Sequence, residues 1–226
     1  ETSLLFGPSD KLFCGWTDYR LPSSDIYFQL LSSAGVPQFG VDKLVNDDAL
    51  GAQSLEPDLA LLGQQKGAII FTDARHDDGD IFLQLVGSDG LLGTNLKINC
   101  DTMSALQNEP ALAASGNKIL TVWNDNRAVL GVSGRRIFGR YLNHDGLFSG
   151  TDFSISNPNI ISPKSNPAVA ISRSQTALIV WSDRRSGDSH IMGQLVQEPS
   201  NLIGSEFTVS VPNIDYDNDN AIFTRD

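Results

Sequence analysis

Four short segments of the chain place an aspartate and an arginine two residues apart. They are Trp16-Thr17-Asp18-Tyr19-Arg20, Phe71-Thr72-Asp73-Ala74-Arg75, Trp123-Asn124-Asp125-Asn126-Arg127 and Trp181-Ser182-Asp183-Arg184-Arg185. A carboxylate so close to a guanidinium can close an ion pair or accept from backbone amides in a tight turn. Presented on one face, the pairs Asp18/Arg20, Asp73/Arg75, Asp125/Arg127 and Asp183/Arg185 would instead form a ring of charged recognition groups. Such a ring offers several equivalent weak sites, which suits a multivalent ligand such as a polysaccharide. The aromatic residue heading each turn has the same double reading: exposed, it stacks on a sugar; buried, it fills the space between sheets. A feature carried by every unit of a repeat normally secures the unit, so the structural role is expected and the binding role is the candidate function.

A second candidate lies near the end of the sequence. Asp215, Asp217 and Asp219 alternate, and oxygen ligands at two-residue spacing suit a calcium loop, although no glycine at the sixth position and no closing glutamate complete that signature. Calcium is therefore the only cofactor in view, with a solvated acidic loop as the plain reading. Hydrolytic signatures are thin. His76, His144 and His190 are scattered, and neither a His-x-x-His pair nor a Gly-x-Ser-x-Gly elbow is present. A glycosidase needs two carboxylates about 5–10 Å apart, a geometry that many aspartates of this chain could meet. Among inner-strand positions Asp58 stands out, aligned with Ser3, Ala111 and Ala168. Cys14 and Cys100 read as two buried or unpaired thiols, with a single disulfide as the alternative if the loop at Cys100 folds back to the first unit.

The elements that must position these residues follow from the spacing. The four turn aspartates are 55, 52 and 58 residues apart. An apolar run precedes each turn, and an Ile-centred run follows it, at Ile26, Ile81, Ile137 and Ile191. A last element carries glycine six residues before Asn or Ser: Gly40 to Asn46, Gly93 to Asn99, Gly150 to Ser156, Gly204 to Ser210. Turn residues bound every run, and no stretch sustains a 3.6-residue period over helix length. Each unit thus reads as four short antiparallel strands, the first rich in small residues (Pro110-Ala111-Leu112-Ala113, Pro167-Ala168-Val169-Ala170). Second strands apolar at consecutive positions are expected where neighbouring sheets cover both faces. The predicted fold is all-β, a β-propeller of four-stranded antiparallel blades.

The Trp-x-Asp-x-Arg turn followed by Asp-Ile-x-x-Gln resembles the blade repeats of secreted bacterial β-propeller proteins. The sequence departs from that pattern at Phe71, at Arg136 and Arg140, and at Lys43, which stands where the other units have Leu96, Phe153 and Phe207. The resemblance implies the propeller fold and a secreted or cell-surface setting, and no single activity. One domain over 1–226 is expected, with blades at about 1–54, 55–107, 108–164 and 165–210. Residues 211–226 then read as a partial fifth blade, Pro212 to Tyr216 matching a first strand and Ala221 to Thr224 a second. A four-bladed ring with an ordered tail is the alternative.

Composition narrows the partners. The 226 residues carry 16 Lys+Arg against 27 Asp+Glu, a net charge of −11, which disfavours nucleic acid and anionic membrane surfaces. No apolar run approaches the ~20 residues that span a bilayer, so no membrane insertion is expected, and residues 1–3 show no secretory leader. The expectation drawn is an extracellular binding or scaffold module for glycans or another surface polymer, with catalysis disfavoured. Two competitors stand beside it: a polysaccharide-processing enzyme using axial carboxylates, and a protein-docking segment of a larger or oligomeric exported protein. Carboxylates clustered at one channel end, with a raised pKa, would favour the enzyme.

Overall fold

In a computed structural model of the chain, residues 1–210 are described except 8, 9, 21, 49, 50, 64, 65, 103, 129, 130, 132 and 133. The partial fifth blade and Asp215, Asp217 and Asp219 lie outside the described residues. Among the described residues sixteen strands form four antiparallel sheets. Blade 1 contains β1 (Thr2–Phe6), β2 (Leu12–Asp18), β3 (Asp25–Leu31) and β4 (Lys43–Leu44). Blade 2 contains β5 (Ser54–Leu61), β6 (Lys66–Asp73), β7 (Asp80–Gly87) and β8 (Gly90–Lys97). Blade 3 contains β9 (Gln107–Ser115), β10 (Lys118–Asp125), β11 (Arg136–Asn143) and β12 (Phe148–Ser154). Blade 4 contains β13 (Lys164–Ile171), β14 (Thr176–Asp183), β15 (His190–Gln197) and β16 (Asn201–Thr208). No helix occurs among the described residues. The fold is the all-β propeller arrangement of four-stranded blades.

Three apolar seams hold the blades together, and they explain the unbroken hydrophobicity of the second strands. Phe13, Ile26, Phe28 and Val45 of blade 1 meet Leu59, Ile69, Phe71 and Phe82 of blade 2. On the opposite face of blade 2, Ala68, Ile70, Leu83 and Ile98 meet Leu112, Trp123 and Phe138. Leu120, Val122, Tyr141 and Ile155 of blade 3 then meet Val169, Ile179, Trp181 and Met192. Neighbouring residues of one strand point to opposite faces, so Ile69 and Ile70 serve two different seams.

The inner strands carry the feature that matters for the axis. In β5 the register against β6 slips between Leu55 and Asp58, and in β13 against β14 it slips between Ser165 and Ala168. β10 pairs Val122 with Ala111 and Asn124 with Asn108, the same irregularity in β9. Two inner-strand residues thus oppose one partner, a β-bulge. Glu56, Glu109 and Asn166 sit at these bulges with φ of 58°, 53° and 51°, a left-handed conformation that costs a non-glycine residue about 1–2 kcal/mol. A proline follows each of them, at a place where the ladder needs no N–H.

Candidate functional site

Glu1, ahead of β1, and the bulge residues Glu56 and Glu109 each reach into the blade that follows. Glu1 Oε2 accepts a hydrogen bond from the Glu56 backbone N–H at 2.8 Å. Glu56 Oε2 accepts from the Glu109 N–H at 2.6 Å, and Glu109 Oε2 from the Asn166 N–H at 2.6 Å. Each carboxylate is thus clasped by the blade that follows it. Within its own blade, Glu56 also accepts from the Thr72 hydroxyl at 3.0 Å, and Glu109 from the Asn124 amide at 3.2 Å. Asp58 repeats the theme one position deeper, with Oδ1 accepting from the Ser3 hydroxyl at 3.1 Å and Oδ2 from the Leu112 N–H at 3.0 Å.

These groups line an open cavity of about 370 Å³ at the axis, with Glu1, Ser3, Glu56, Asp58, Glu109 and Asn166 on its wall. Burial pushes the Glu56 carboxyl above the usual range, and the nearby Glu1 and Glu109 charges push the same way. The Glu109 N–H and the Thr72 hydroxyl, donating to the charged form, offset only part of this. A carboxyl with a raised pKa, beside further carboxylates, can give up a proton where bond cleavage needs one.

The eight residues of the Asp/Arg turns are placed differently, and none of them lines this cavity. Asp73, Asp125 and Asp183 are buried, and Asp18 nearly so. In each turn the first carboxylate oxygen accepts from the arginine backbone N–H, at 2.8 Å for Arg20, Arg75 and Arg127 and 2.9 Å for Arg185. The guanidinium closes on the second oxygen at 2.6 Å in three turns and 2.9 Å in Arg75. Trp16, Trp123 and Trp181 donate their indole N–H to the same oxygen at 3.0, 2.9 and 3.2 Å.

Arg20, Arg75 and Arg127 lie over Tyr27, Phe82 and Phe138 at 4.3, 4.2 and 4.4 Å. Each arginine also reaches a second acid: Asp42, Asp47, Asp152 or Glu206. The pairs are therefore brought together within each turn, three of them fastened to an aromatic of the third strand, and not gathered into one ligand-facing cluster. Trp123 and Trp181 are buried in the seams, while Trp16 is half-buried and stacks on Tyr27 at 6.2 Å.

Among the described residues no group of three His, Cys, Asp or Glu side chains could hold a metal. Cys14 is half-buried and Cys100 exposed, both free. The column Glu1, Glu56, Glu109, Asn166, which lines the cavity, carries no motif of its own: it shows in the sequence only as a polar residue before Thr2, Pro57, Pro110 and Pro167, beside the Asp58 already singled out.

No protein-family model and no curated protein matches the sequence. Solved structures do. An α-L-arabinanase from Penicillium chrysogenum complexed with arabinobiose superposes with a TM-score of 0.63 at 15% identity, covering 93% of this chain and 66% of that one. The α-L-arabinofuranosidase of Fusarium graminearum with an iminosugar inhibitor gives 0.63 at 13% identity, over 92% and 65%. The α-L-arabinofuranosidase from Lactobacillus brevis gives 0.58 at 11%, over 93% and 72%. At these identities the likeness establishes the β-propeller fold.

It also corrects one expectation. Catalysis was disfavoured because the sequence lacks a histidine pair or a serine elbow, yet the similar structures are glycoside hydrolases. The carboxylates gathered at the axial cavity come from three blades, and Glu1, Glu56 and Glu109 lie more than 50 positions apart in the chain, so they form no local motif.

Proposed function

We propose that this chain processes a glycan in the axial cavity, with Glu56 as the proton donor. The observation that carries the reading is the upward push on the Glu56 carboxyl inside a cavity that it shares with Glu1, Asp58 and Glu109. In the step this supports, the Glu56 proton passes to the glycosidic oxygen as the bond from that oxygen to the sugar carbon breaks. A water oxygen bonds to that carbon as the glycosidic oxygen leaves, and Asp58, held by Ser3 and Leu112, takes the proton the water gives up. Thr72 and the Glu109 N–H act as positioning groups for Glu56. A neutral polymer suits a chain of net charge −11, and the arabinobiose-bound neighbour makes arabinan the first substrate to try. A secreted or cell-surface setting belongs to the same proposal, supported by the resemblance of the turn motifs to secreted propellers.

The test is sugar release from arabinan and a panel of neutral polysaccharides by the wild type and Glu56→Gln. Loss of a general acid should lower the rate about 10²–10⁴-fold with the melting temperature unchanged. Equal rates in the two proteins would overturn the role of Glu56. Arabino-oligosaccharides that raise the melting temperature with no release by the wild type would overturn processing and leave binding alone. No release and no shift across the panel would overturn the glycan reading.

A further inference from the structure

Blade 4 meets the axial cavity differently from the other blades. Among the described residues, every acid on the cavity wall comes from blades 1 to 3, whereas blade 4 contributes Asn166 and Pro167. Asn166 shares the left-handed backbone of the bulges, with φ of 51° against 58° at Glu56 and 53° at Glu109. Its N–H is pinned by Glu109 Oε2 at 2.6 Å. The side chain has no such hold. Glu56 is gripped by the Glu109 N–H and the Thr72 hydroxyl, and Glu109 by the Asn166 N–H and the Asn124 amide. At the place of Thr72 and Asn124, blade 4 has Ser182, whose hydroxyl is bonded to that of Ser189 at 2.6 Å. Asn166 keeps one long contact, from Nδ2 to the Ser165 hydroxyl at 3.4 Å, and its Oδ1 has no hydrogen-bond partner among the described residues.

Two structural roles fail to account for this residue. Asparagine tolerates a left-handed backbone better than most residues, but Glu56 and Glu109 hold the same φ without it. Nor does its side chain fasten blade to blade as the glutamates do. What the backbone holds on the wall is an exposed amide with an acceptor and donors unengaged. An amide can accept from one sugar hydroxyl and donate to the next, and it does so without adding charge beside Glu109. Ala111 on the wall stands where blade 2 carries Asp58, so the wall there lacks both the length and the charge of that side chain. No lysine, arginine or histidine lines the cavity among the described residues.

We propose that Asn166 is the sugar-reading residue of the cavity, its amide holding two adjacent ring hydroxyls of a neutral glycan while the bond to be broken lies toward Glu56 and Asp58. This rests on the reading of the cavity as a glycan-processing site and divides its labour. Blades 2 and 3 handle protons, and blade 4 selects the ring. The substrate class narrows accordingly to uncharged sugars with two neighbouring free hydroxyls, because a uronate carboxylate would meet Glu1 and Glu109 with no cation on the wall to balance it.

The experiment is an amide NMR titration of the full 226-residue protein with arabinobiose. The Asn166 side-chain signals are assigned by their loss in Asn166→Gly, a variant whose left-handed backbone is relaxed, so its melting temperature should be no lower than that of the wild type. The Asn166 side-chain pair and the Glu109 backbone N–H should both shift in the wild type, and Asn166→Gly should bind about tenfold more weakly. Shifts at Glu56, Thr72 and Glu109 with the Asn166 pair unmoved, or equal binding by the two proteins, would overturn the assignment and leave the cavity reading standing. No shift at any cavity residue, with arabinobiose or with other neutral disaccharides, would overturn that reading and this inference with it. Direct contact is read with 2-deoxy and 3-deoxy arabinobiose. With one hydroxyl already gone, the loss in Asn166→Gly should shrink to about threefold. An undiminished loss with both analogues would make Asn166 a remote support and overturn the contact.

Discussion

At the residue scale, two kinds of carboxylate do opposite things. Asp18 and Asp183 of the turns are held charged by their partners. Burial pushes Asp183 upward, but the Arg185, Ser162, Lys164 and Trp181 contacts outweigh it and bring the carboxyl down to about 2 from an ordinary 3.8. A carboxyl whose folded pKa is depressed contributes stability that is present above the ordinary value and lost as pH falls toward the folded one. The melting temperature should therefore fall between about pH 4 and pH 2, and Asp183→Asn should melt lower at pH 7 while losing much of that acid-side slope. Glu56 is pushed the other way. Its Thr72 hydrogen bond favours the charged form, so Thr72→Val should raise the Glu56 pKa further. If Glu56 is the acid, the alkaline limb of the pH–rate profile should then move upward, with kcat at the optimum changed less than in Glu56→Gln. The turn pairs were readable because they are contiguous in the chain. The axial glutamates were half readable: Glu1 aligns with Glu56, but nothing local marks a left-handed bulge at a glutamate or shows that its carboxylate is taken by the next blade's amide.

At the element scale the strands follow the sequence pattern closely, because each run has turn chemistry on both sides and its apolar positions match a seam. The exception is the last strand of blade 1. The Gly40 to Asn46 element suggests a full outer strand, yet β4 pairs only Lys43 and Leu44. The preceding residues are drawn elsewhere: Asp42 binds Arg20 and the Gln29 amide, and the Phe39 N–H donates to Gln29. With Lys43 at the seam position of Leu96 and Phe153, this edge also contributes less apolar cover. Hydrogen exchange should accordingly be fastest, among ladder amides, in blade 1 and slowest in β6 and β10, which are buried on both faces. The seams set the stability. Ile155, fully buried between blades 3 and 4, should cost about 2–5 kcal/mol when cut to alanine. Leu202→Ala on the exposed outer strand should stay within about 0.5 kcal/mol by urea denaturation.

At the scale of the whole molecule, the repeat period made the architecture legible, and the charge bears on which polymers the proposed function admits. A net charge of −11 repels polyanions over the Debye length, about 8 Å at physiological salt. Binding of an acidic glycan such as polygalacturonate should strengthen as salt rises, while binding of neutral arabinan should be nearly flat, a contrast that titration calorimetry at two ionic strengths would show. What sequence could not supply was the sidedness of the end blades, since exposure at Leu4 or Val209 is decided by what stands beside them and not by their own neighbours in the chain. The axial clasp has one more consequence. Blades 1 to 3 each carry an acceptor for the next blade and blades 2 to 4 a donor for the one before, so a stretch cut at equivalent points and copied in tandem arrives with both halves of the joint already made. A gene that duplicates in steps of one unit can lengthen such a protein without inventing a new contact, whereas a duplication out of frame with the unit strands a carboxylate on one side and an amide on the other. Heredity at this axis is therefore counted in whole blades.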